Sequence, residues 1–311
     1  MNFLQHMCDK LFMSQDELIN FARTMPYRYK KYRVGKRNGS GYRIIAQPSS
    51  EAKFIQRILL KELRRLLPVH ECAMAYEPGV GIRKNAMRHL HSDYLLKMDF
   101  KDFFPSITPD LFFFFTKKIG LELGEKDKEL LENVIFWKST RSSYLKLSIG
   151  APTSPFISNF VMHEFDKSMN QFCISKAITY TRYADDLTFT SNAKNILFEI
   201  PSLVSGHLKK DCLGLIKVNT KKTVFSSKAF NRHVTGIVLA NDNSLSLGRE
   251  QKRTLSSIIH RFSLGKLSEK ETSRLKGHLS FAHHIEPKFI DRMKKKYGND
   301  LIDLIFLHSC E

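Results

Sequence analysis

Residues 178–190 read ITYTRYADDLTFT. Polar and apolar side chains alternate on both sides of Ala184-Asp185-Asp186, the period of a strand with one buried face. The stretch predicts a β-hairpin with two carboxylates at or beside its turn. An isolated Asp-Asp is most often a polar turn. Adjacent like charges nevertheless repel, and each raises the other's pKa; a bound divalent cation removes that conflict. A third acid, Asp99, stands near the end of the apolar run Leu95–Phe100, which reads as another strand. If that strand lies beside the hairpin, three carboxylates converge. Hard oxygen ligands of this kind favour Mg²⁺, which keeps waters and takes further ligands from substrate phosphates. Two such ions about 4 Å apart serve in-line phosphoryl transfer.

The setting of these acids is strongly basic. Among 311 residues, 50 Lys and Arg face 31 Asp and Glu, a formal charge of +19. Such an excess attracts polyanions, nucleic acid first and an anionic membrane surface second. Hydrophobic residues make up 42%, enough for a substantial core. The five cysteines, Cys8, Cys72, Cys173, Cys212 and Cys310, are odd in number and form no CxxC pair. That pattern argues against a zinc site or a disulfide framework and for buried thiols. The N-terminus lacks a long apolar core, and the run around Leu111–Phe115 is too short to span a bilayer. A cytoplasmic protein without a membrane partner is expected.

Working outward, Ser14-Gln15-Asp16-Glu17 is a capping box that opens a helix to about Thr24. Residues 27–43 carry Arg28, Lys30, Lys31, Arg33, Lys36, Arg37 and Arg43, with no acid, among Tyr27, Tyr29, Tyr32 and Tyr42. Gly35, Gly39 and Gly41 imply a hairpin there. Basic groups bind phosphates and tyrosine rings stack on bases, so the segment suits a nucleic-acid grip; a solvated basic hairpin is the plainer alternative. Residues 51–67 form an amphipathic helix with Phe54, Ile55, Ile58, Leu59, Leu63, Leu66 and Leu67 on one face, followed by Pro68. Helices also start at Thr108-Pro109-Asp110, stopped by Gly120, and at Ser154-Pro155, with Phe156, Ile157, Phe160, Val161 and Phe165 inward. From Arg249 to Lys296, 13 Lys or Arg face 5 Asp or Glu, a net of +8 in a helical stretch. Mixed elements first and helices last imply an α+β class.

At this point the strings resemble a known family. Tyr183-Ala184-Asp185-Asp186 resembles the YADD box of reverse transcriptases. Met98-Asp99-Phe100-Lys101-Asp102-Phe103-Phe104 resembles their first catalytic motif, and Gly150-Ala151-Pro152-Thr153-Ser154-Pro155, with Asn159 beyond, resembles their nucleotide-pocket motif. The resemblance implies a right-hand polymerase fold. Its parts would be an N-terminal helix with fingers (1–95), a palm (96–240) with the remaining fingers near 115–148, and a basic helical thumb (241–311). The palm would be an antiparallel sheet backed by helices. Asp99, Asp185 and Asp186 would hold two Mg²⁺ ions, for which Mn²⁺ is able to stand in. Lys222 would protonate pyrophosphate; in a lysine pair, a solvated surface is the competing reading. Arg43, within Arg-Ile-Ile-Ala-Gln-Pro-Ser, would contact the triphosphate in a bidentate way, or be a strand-surface arginine. Phe104 would lie under the sugar and reject a 2′-hydroxyl by clash, or be a core ring beside Phe103. Phe100, Gly150, Ala151 and Pro152 complete the implied nucleotide site.

Two further strings resemble those of retron reverse transcriptases: Asn85-Ala86-Met87-Arg88-His89 (NAxxH) and Val234-Thr235-Gly236 (VTG), the latter a strand by default. RNA contacts are expected from Arg28, Lys30, Lys31, Arg33, Asn85, His89, Arg249, Arg253, Lys294 and Lys295. The basic helices with His260, His278, His283 and His284 would hold RNA by shape and phosphate contact. The resemblance implies a cognate structured non-coding RNA as template and 2′-hydroxyl primer, deoxynucleoside triphosphates as substrate, and a short branched single-stranded DNA (msDNA) as product. It also implies a neighbouring effector (toxin) protein in defence against phage. An intron-derived or diversity-generating enzyme, or a non-catalytic RNA-binding scaffold, are the alternative readings. Two positions depart from the family pattern. Leu147-Ser148-Ile149-Gly150 stands where Leu-Pro-Gln-Gly is usual, and Gly81 where serine is common.

Overall fold

The computed structural model describes residues 2–35 and 41–308. Lys36, Arg37 and Gly39 of the expected basic hairpin, and Cys310, lie outside the described residues. Helices α1 (Phe3–Leu11) and α2 (Gln15–Thr24) precede strands β1 (Tyr29–Gly35) and β2 (Tyr42–Pro48) and helix α3 (Ser50–Leu66). Helix α4 (Ile82–Arg88) and strand β3 (Tyr94–Lys101) follow, then helices α5 (Phe103–Ser106), α6 (Pro109–Lys118), α7 (Glu125–Ile135), α8 (Ser154–Val161) and α9 (His163–Ser175). Strands β4 (Thr179–Tyr183) and β5 (Asp186–Ser191) lead to helix α10 (Ile200–Asp211). Short strands come next: β6 (Lys217–Val218), β7 (Val224–Ser227), β8 (Arg232–Val234), β9 (Ile237–Leu239) and β10 (Leu245–Ser246). Helices α11 (Arg249–Ser263), α12 (Glu269–Ile285), α13 (Pro287–Tyr297) and α14 (Asn299–Leu307) close the described chain.

The predicted hairpin is β4–β5, joined by Ala184 and Asp185, in a sheet of order β4-β5-β3-β6 with β7 also on β3. β1 and β2 form a separate antiparallel pair, Tyr29 opposite Pro48 and Gly35 opposite Tyr42. β8, β9 and β10 form a third, antiparallel sheet.

The chain divides into two compact units, and the division falls inside β3 and β5. It differs from the expected segments 1–95, 96–240 and 241–311. The first unit comprises residues 1–79, 97–187 and 198–224; the second comprises 80–96, 188–197 and 225–311. The reason lies in the second unit's core. Ala86 and Leu95 are buried in the same apolar cluster as Val234, Ile237 and Leu239 and as Leu255, Leu279 and Phe289 of the C-terminal helices. Residues on either side of 240 thus share one core.

Phenylalanine fills the first unit. Phe112 meets Phe136 and Phe160 edge-on, at centroid separations of 6.1 and 5.8 Å, and Phe115 meets Phe160 at 6.4 Å. Edge-to-face pairs of this kind add to the area they bury. In α8, Phe156, Ile157, Phe160 and Val161 are buried as expected, and so are Ser158 and Asn159. The capping box at Ser14 forms, with Glu17 closing on the Ser14 backbone.

Helix α3 departs in part from its expected face. Ile55, Leu59 and Leu63 are buried, whereas Phe54 is 59% exposed. Gln56 is buried instead, its Nε2 donating to the Val134 carbonyl and to the Tyr29 hydroxyl at 2.8 and 2.9 Å. Gln56 Oε1 has no hydrogen-bond partner among the described residues, and the two bonds from Nε2 offset part of the cost of burying the amide, so tertiary partners rather than hydropathy set that face. Tyr29 leaves the proposed row of stacking rings for the same reason. It packs on Trp137 at 5.6 Å, and burial pushes its phenol up to about 12.

One buried ion pair organises the hairpin. Arg182 on β4 and Asp166 on α9 are both 0% exposed, with Nη2 2.6 Å from Oδ2. Arg182 Nη1 also donates to Asn159 Oδ1 and the Ala184 carbonyl, each at 3.1 Å, and the Tyr180 hydroxyl donates to Asp166 at 2.7 Å. The Arg182 backbone bridges to residues 72–74, accepting from Met74 N at 2.7 Å and donating to Cys72 O at 2.8 Å. Hydrogen bonds from every side make such a buried pair tenable.

The Val234-Thr235-Gly236 string is a strand end and a turn rather than a strand. Thr235 and Gly236 have φ of 48° and 83°, and positive φ at both central residues is the tight hairpin turn that suits the twist of its strands. The turn joins β8 to β9 and reaches α4 through Thr235 Oγ1 and the Ile82 carbonyl at 3.4 Å. Among the described residues no helix is long and apolar enough to cross a membrane.

Candidate active site

The three acids come together by backbone pairing. The Phe100 N–H donates to the Asp185 carbonyl at 3.0 Å, which ties the end of β3 to the hairpin turn. The Asn219 N–H donates to the Asp99 carbonyl at 2.7 Å, which ties β3 to the segment after β6. Asp185 lies in the turn and Asp186 opens β5. Ala184 adopts φ 56°, left-handed backbone that a two-residue loop demands.

The electrostatics follow from this crowding. Burial, and then the Asp99 carboxylate, hold the Asp185 carboxyl above its ordinary range. Desolvation by the surrounding protein, then Asp185 and Asp99, push Asp186 up to about 6. Asp186 is exposed, which weakens the first cause and leaves its two like-charged neighbours as the sounder one. Lys222 opposes them: its Nζ lies 2.6 Å from Asp99 Oδ2, and its side chain remains 46% exposed. Among the described residues no three His, Cys, Asp or Glu groups close on one point as a ready-made cage. The donor chemistry nevertheless fits a divalent cation. Hard oxygens that resist ionising together gain from it, and Mg²⁺ retains waters and takes phosphate oxygens for its remaining positions.

A cavity of about 260 Å³ is lined among others by Tyr76, Phe104, Ile149, Gly150, Ala151 and Pro152. The Ile149 carbonyl accepts from Ala46 N of β2 at 2.9 Å, so the motif is zipped to the strand. Gly150 has φ 129°, and a Cβ there would meet the Ala46 carbonyl oxygen at 2.9 Å. Only glycine tolerates both. The Ala151 N–H donates to Ser148 Oγ at 3.1 Å and closes the turn. Phe104 is half-buried and lines the cavity, edge-on to Phe103 at 5.6 Å and to Tyr76 at 6.4 Å.

Phe100 belongs to the core and not to the nucleotide site. It is 2% exposed, packed on Phe103 and Phe165 at 5.3 and 6.0 Å. Alternation along β3 explains this, since neighbours in a strand face opposite sides; Asp99, itself only 6% exposed, takes the side that meets Lys222 and the other two acids. Arg43 is exposed on β2, where its charge acts to lower the Asp185 pKa. Lys53 and Arg57, one turn apart on α3, and Tyr76 line the cavity without having been foreseen. The i, i+4 pair of cations on the polar side of α3 was a legible signal; Tyr76 carried none.

The expected RNA contacts separate into two groups. Asn85 and His89 are 0% exposed, so neither side chain offers an atom to RNA. His89 Nδ1 lies 2.8 Å from Thr190 Oγ1, and burial pulls its imidazole down to about 3. These residues hold the second unit's interior, and their assignment as RNA contacts is corrected on that ground. Lys30, Arg33, Arg249, Arg253 and Lys295 are exposed. Arg28 is exposed as well, with Nε 2.8 Å from Thr24 Oγ1 and its guanidinium 4.5 Å above the Phe21 ring. Lys31 Nζ donates to the Ser139 carbonyl at 2.7 Å, and Lys294 pairs with Asp303 at 2.7 Å. His260, His278, His283 and His284 are all on the surface.

Comparison with known proteins agrees with this geometry. A family model described as reverse transcriptase (RNA-dependent DNA polymerase) matches residues 34–248. The chain is 44% identical over 283 residues to the retron Ec83 reverse transcriptase of Escherichia coli, covering 90% of each chain. It is 34% identical over 292 residues to the retron Ec73 reverse transcriptase of the same organism, again covering 90% of each. Among solved structures, the apo telomerase of Candida tropicalis superposes with a TM-score of 0.51 at 14% identity, over 88% of this chain and 60% of that one. The telomerase of Candida albicans gives the same TM-score at 12% identity, over 91% of this chain and 58% of that one. This chain thus spans about three-fifths of those telomerase chains and shares with them the right-hand polymerase fold. Reverse transcriptases generally use divalent metal ions, in keeping with the three carboxylates. Motif, fold and relatives lead to one conclusion: the chain belongs to the reverse transcriptase family and is an RNA-directed DNA polymerase of the retron type.

Proposed function

We propose that this polymerase uses a cognate structured non-coding RNA both as template and as primer. It extends from a 2′-hydroxyl of that RNA and yields a short single-stranded DNA branched to it. The observation that carries the chemistry is the gathering of Asp99, Asp185 and Asp186 through the Phe100–Asp185 backbone bond. These side chains would hold two Mg²⁺ ions, which activate the primer hydroxyl and stabilise the leaving pyrophosphate when bound. Lys222, paired with Asp99, would give a proton to pyrophosphate. Arg43 and the Gly150–Pro152 turn position the deoxynucleoside triphosphate, and Phe104 excludes a ribose 2′-hydroxyl.

The RNA partner is supported by the charge of +19 and by the exposed cations of the β1–β2 pair and of α11 and α13. The albicans telomerase, a neighbour of the same fold, was solved in complex with a fragment of telomeric RNA. In this reading β1–β2 lies in the fingers, the carboxylates in the palm and the C-terminal helices in the thumb. We further assign the protein to the cytoplasm and to an anti-phage system with a nearby effector protein, on the resemblance to retron enzymes alone.

The test expresses the gene with its native upstream region in a bacterium, beside an Asp185→Asn variant. Nucleic acid is extracted and treated with RNase. A discrete short DNA seen only with the intact enzyme, and shifted by RNase, supports reverse transcription and attachment to RNA together. Magnesium-dependent synthesis on an added template without any such DNA would favour an intron-derived or diversity-generating enzyme.

A further inference from the structure

Tyr76 is held in a conformation that its own chemistry disfavours. Its φ is 68°, in the left-handed region that bulky L-residues avoid. Strain of this kind persists only where surrounding structure enforces it, and it concentrates at functional sites. Here the enforcement is explicit. Arg64 Nη2 donates to the Tyr76 carbonyl at 3.1 Å, while Arg64 Nη1 holds Glu77 at 2.7 Å. On the preceding side, Asn159 Nδ2 donates to the Ala75 carbonyl at 2.9 Å and to Glu77 Oε1 at 3.1 Å. Asn159 Oδ1 in turn accepts from Arg182, the buried cation behind the catalytic hairpin. Both sides of Tyr76 are therefore tied to the framework that carries the carboxylates.

The product of this clamp is an aromatic contact. The Tyr76 ring stands edge-to-face with Phe104, 6.4 Å between centroids at 66°. Both line the same cavity, and Tyr76 keeps 45% of its surface exposed. Phe103 contacts Phe104 at 5.6 Å from its buried position, 3% exposed. Phe104 thus has a core ring, Phe103, and a rim ring, Tyr76, as aromatic neighbours. A ring that discriminates by clash works only as far as it cannot yield.

We propose that Tyr76 is a positioning residue for sugar selection. Its clamped ring stops Phe104 from swinging aside when a ribonucleotide enters. This rests on the reading of Phe104 as the ring that excludes the 2′-hydroxyl. The substrate class it acts on is the incoming nucleoside triphosphate, and its effect falls on the choice between deoxyribose and ribose.

The experiment measures single-nucleotide incorporation from dNTP and from the matching rNTP, as kcat/KM for each, on a primed RNA template. Proteins are the intact enzyme, Tyr76→Ala, Tyr76→Leu, Tyr76→Phe and Phe104→Ala, with folding checked by circular dichroism. Tyr76→Ala and Tyr76→Leu are expected to lower the dNTP-to-rNTP ratio by about 3- to 10-fold, the scale of one aromatic pair. The loss should lie in faster ribonucleotide use, and Tyr76→Phe, which keeps the ring, should retain the wild-type ratio. An unchanged ratio in Phe104→Ala defeats the reading of Phe104 and the buttress with it. A relaxed ratio in Phe104→Ala, with a wild-type ratio in both Tyr76→Ala and Tyr76→Leu, overturns the role of Tyr76 alone. Equal loss of both substrates in the folded Tyr76 variants also overturns it, because merely structural damage does not select between sugars.

Discussion

The backbone N–H of Phe100 donates to the carbonyl of Asp185 at 3.0 Å, so a core residue of β3 fixes the turn that carries one of the three clustered acids. Phe100 itself faces Phe103 and Phe165 and is 2% exposed. Strand alternation then turns its neighbour Asp99 toward Asp185 and Asp186. Core packing on one face and charge crowding on the other are two consequences of a single strand register.

That crowding makes Asp185→Asn informative in two ways. Losing a group that only orients a metal ligand costs about 10–100-fold, so replacing a direct ligand should lower DNA synthesis by more than that. Without metal, the same change removes a carboxylate held above its ordinary pKa by burial and Asp99. The variant's thermal midpoint in EDTA should equal or exceed that of the intact protein. Wild-type synthesis rates by a folded, magnesium-replete variant would sink the assignment.

Gly150 should tolerate no side chain. Its φ of 129° opposes alanine, and so does the Ala46 carbonyl oxygen, 2.9 Å from where a Cβ would stand. Strain of about 1–3 kcal/mol should push the turn off β2. Gly150→Ala is expected to raise the KM for dNTP more than it lowers the unfolding midpoint. Steady-state kinetics beside urea titration would measure the two; an unchanged KM would show that the turn does not shape the nucleotide site.

The buried Arg182–Asp166 pair should be costly to halve. Both side chains are 0% exposed, and breaking such a pair typically costs about 3–5 kcal/mol because one charge is left uncompensated. Asp166→Asn keeps the volume but removes the charge. Urea unfolding at neutral pH should show a large loss of midpoint. A loss below about 1 kcal/mol, the range of exposed pairs, would mean that water or another group replaces Asp166.

His89 should give the protein an acid-side weakness. Its folded pKa of about 3 lies below the ordinary 6.5, so above pH 6.5 both folded and unfolded forms are neutral and stability is fully present. Below 6.5 the unfolded chain takes up a proton that the folded one refuses. Stability then falls by about 1.4 kcal/mol per pH unit until pH approaches 3. Comparing urea midpoints at pH 7.5 and 5.5 for the intact protein and His89→Gln checks this. The variant should lose less on acidification; parallel losses would assign the effect to other groups.

Arg249 and Arg253, exposed one turn apart on α11, should act through phosphates. The double Arg249→Ala, Arg253→Ala variant is expected to bind the cognate RNA less tightly. Its slope of log affinity against log salt should be shallower by about 1.4, since each single-strand phosphate contact contributes about 0.7. A filter-binding series in salt reads the slope directly, and an unaltered slope would place the RNA elsewhere.

Much of this protein was written locally in its sequence. The alternation through residues 178–190, the Asp pair in its turn, the capping box at Ser14 and the helix start at Pro109 depend on neighbours a few positions apart. Backbone sterics and hydrogen-bond satisfaction therefore made them legible. Polarity was a poorer guide where distant partners decide burial. Gln56 lay outside the apolar face expected of residues 51–67 and His89 among the expected RNA contacts, yet both are buried, with hydrogen-bond partners in Val134 and Thr190, far away in sequence. Phe100 and Phe104 sit four residues apart in one aromatic motif, and only the strand register and the α5 turn send the first into the core and the second to the cavity. Tyr76 lay in a loop without any motif, and its place beside Phe104 depends on Arg64 holding its carbonyl and Asn159 holding that of Ala75, both from helices distant in sequence. The sequence determined which chemistry the chain carries, because carboxylates, cations and turn residues are local facts. The tertiary structure decided which of those groups face the reaction, because burial and long-range pairing belong to no segment alone.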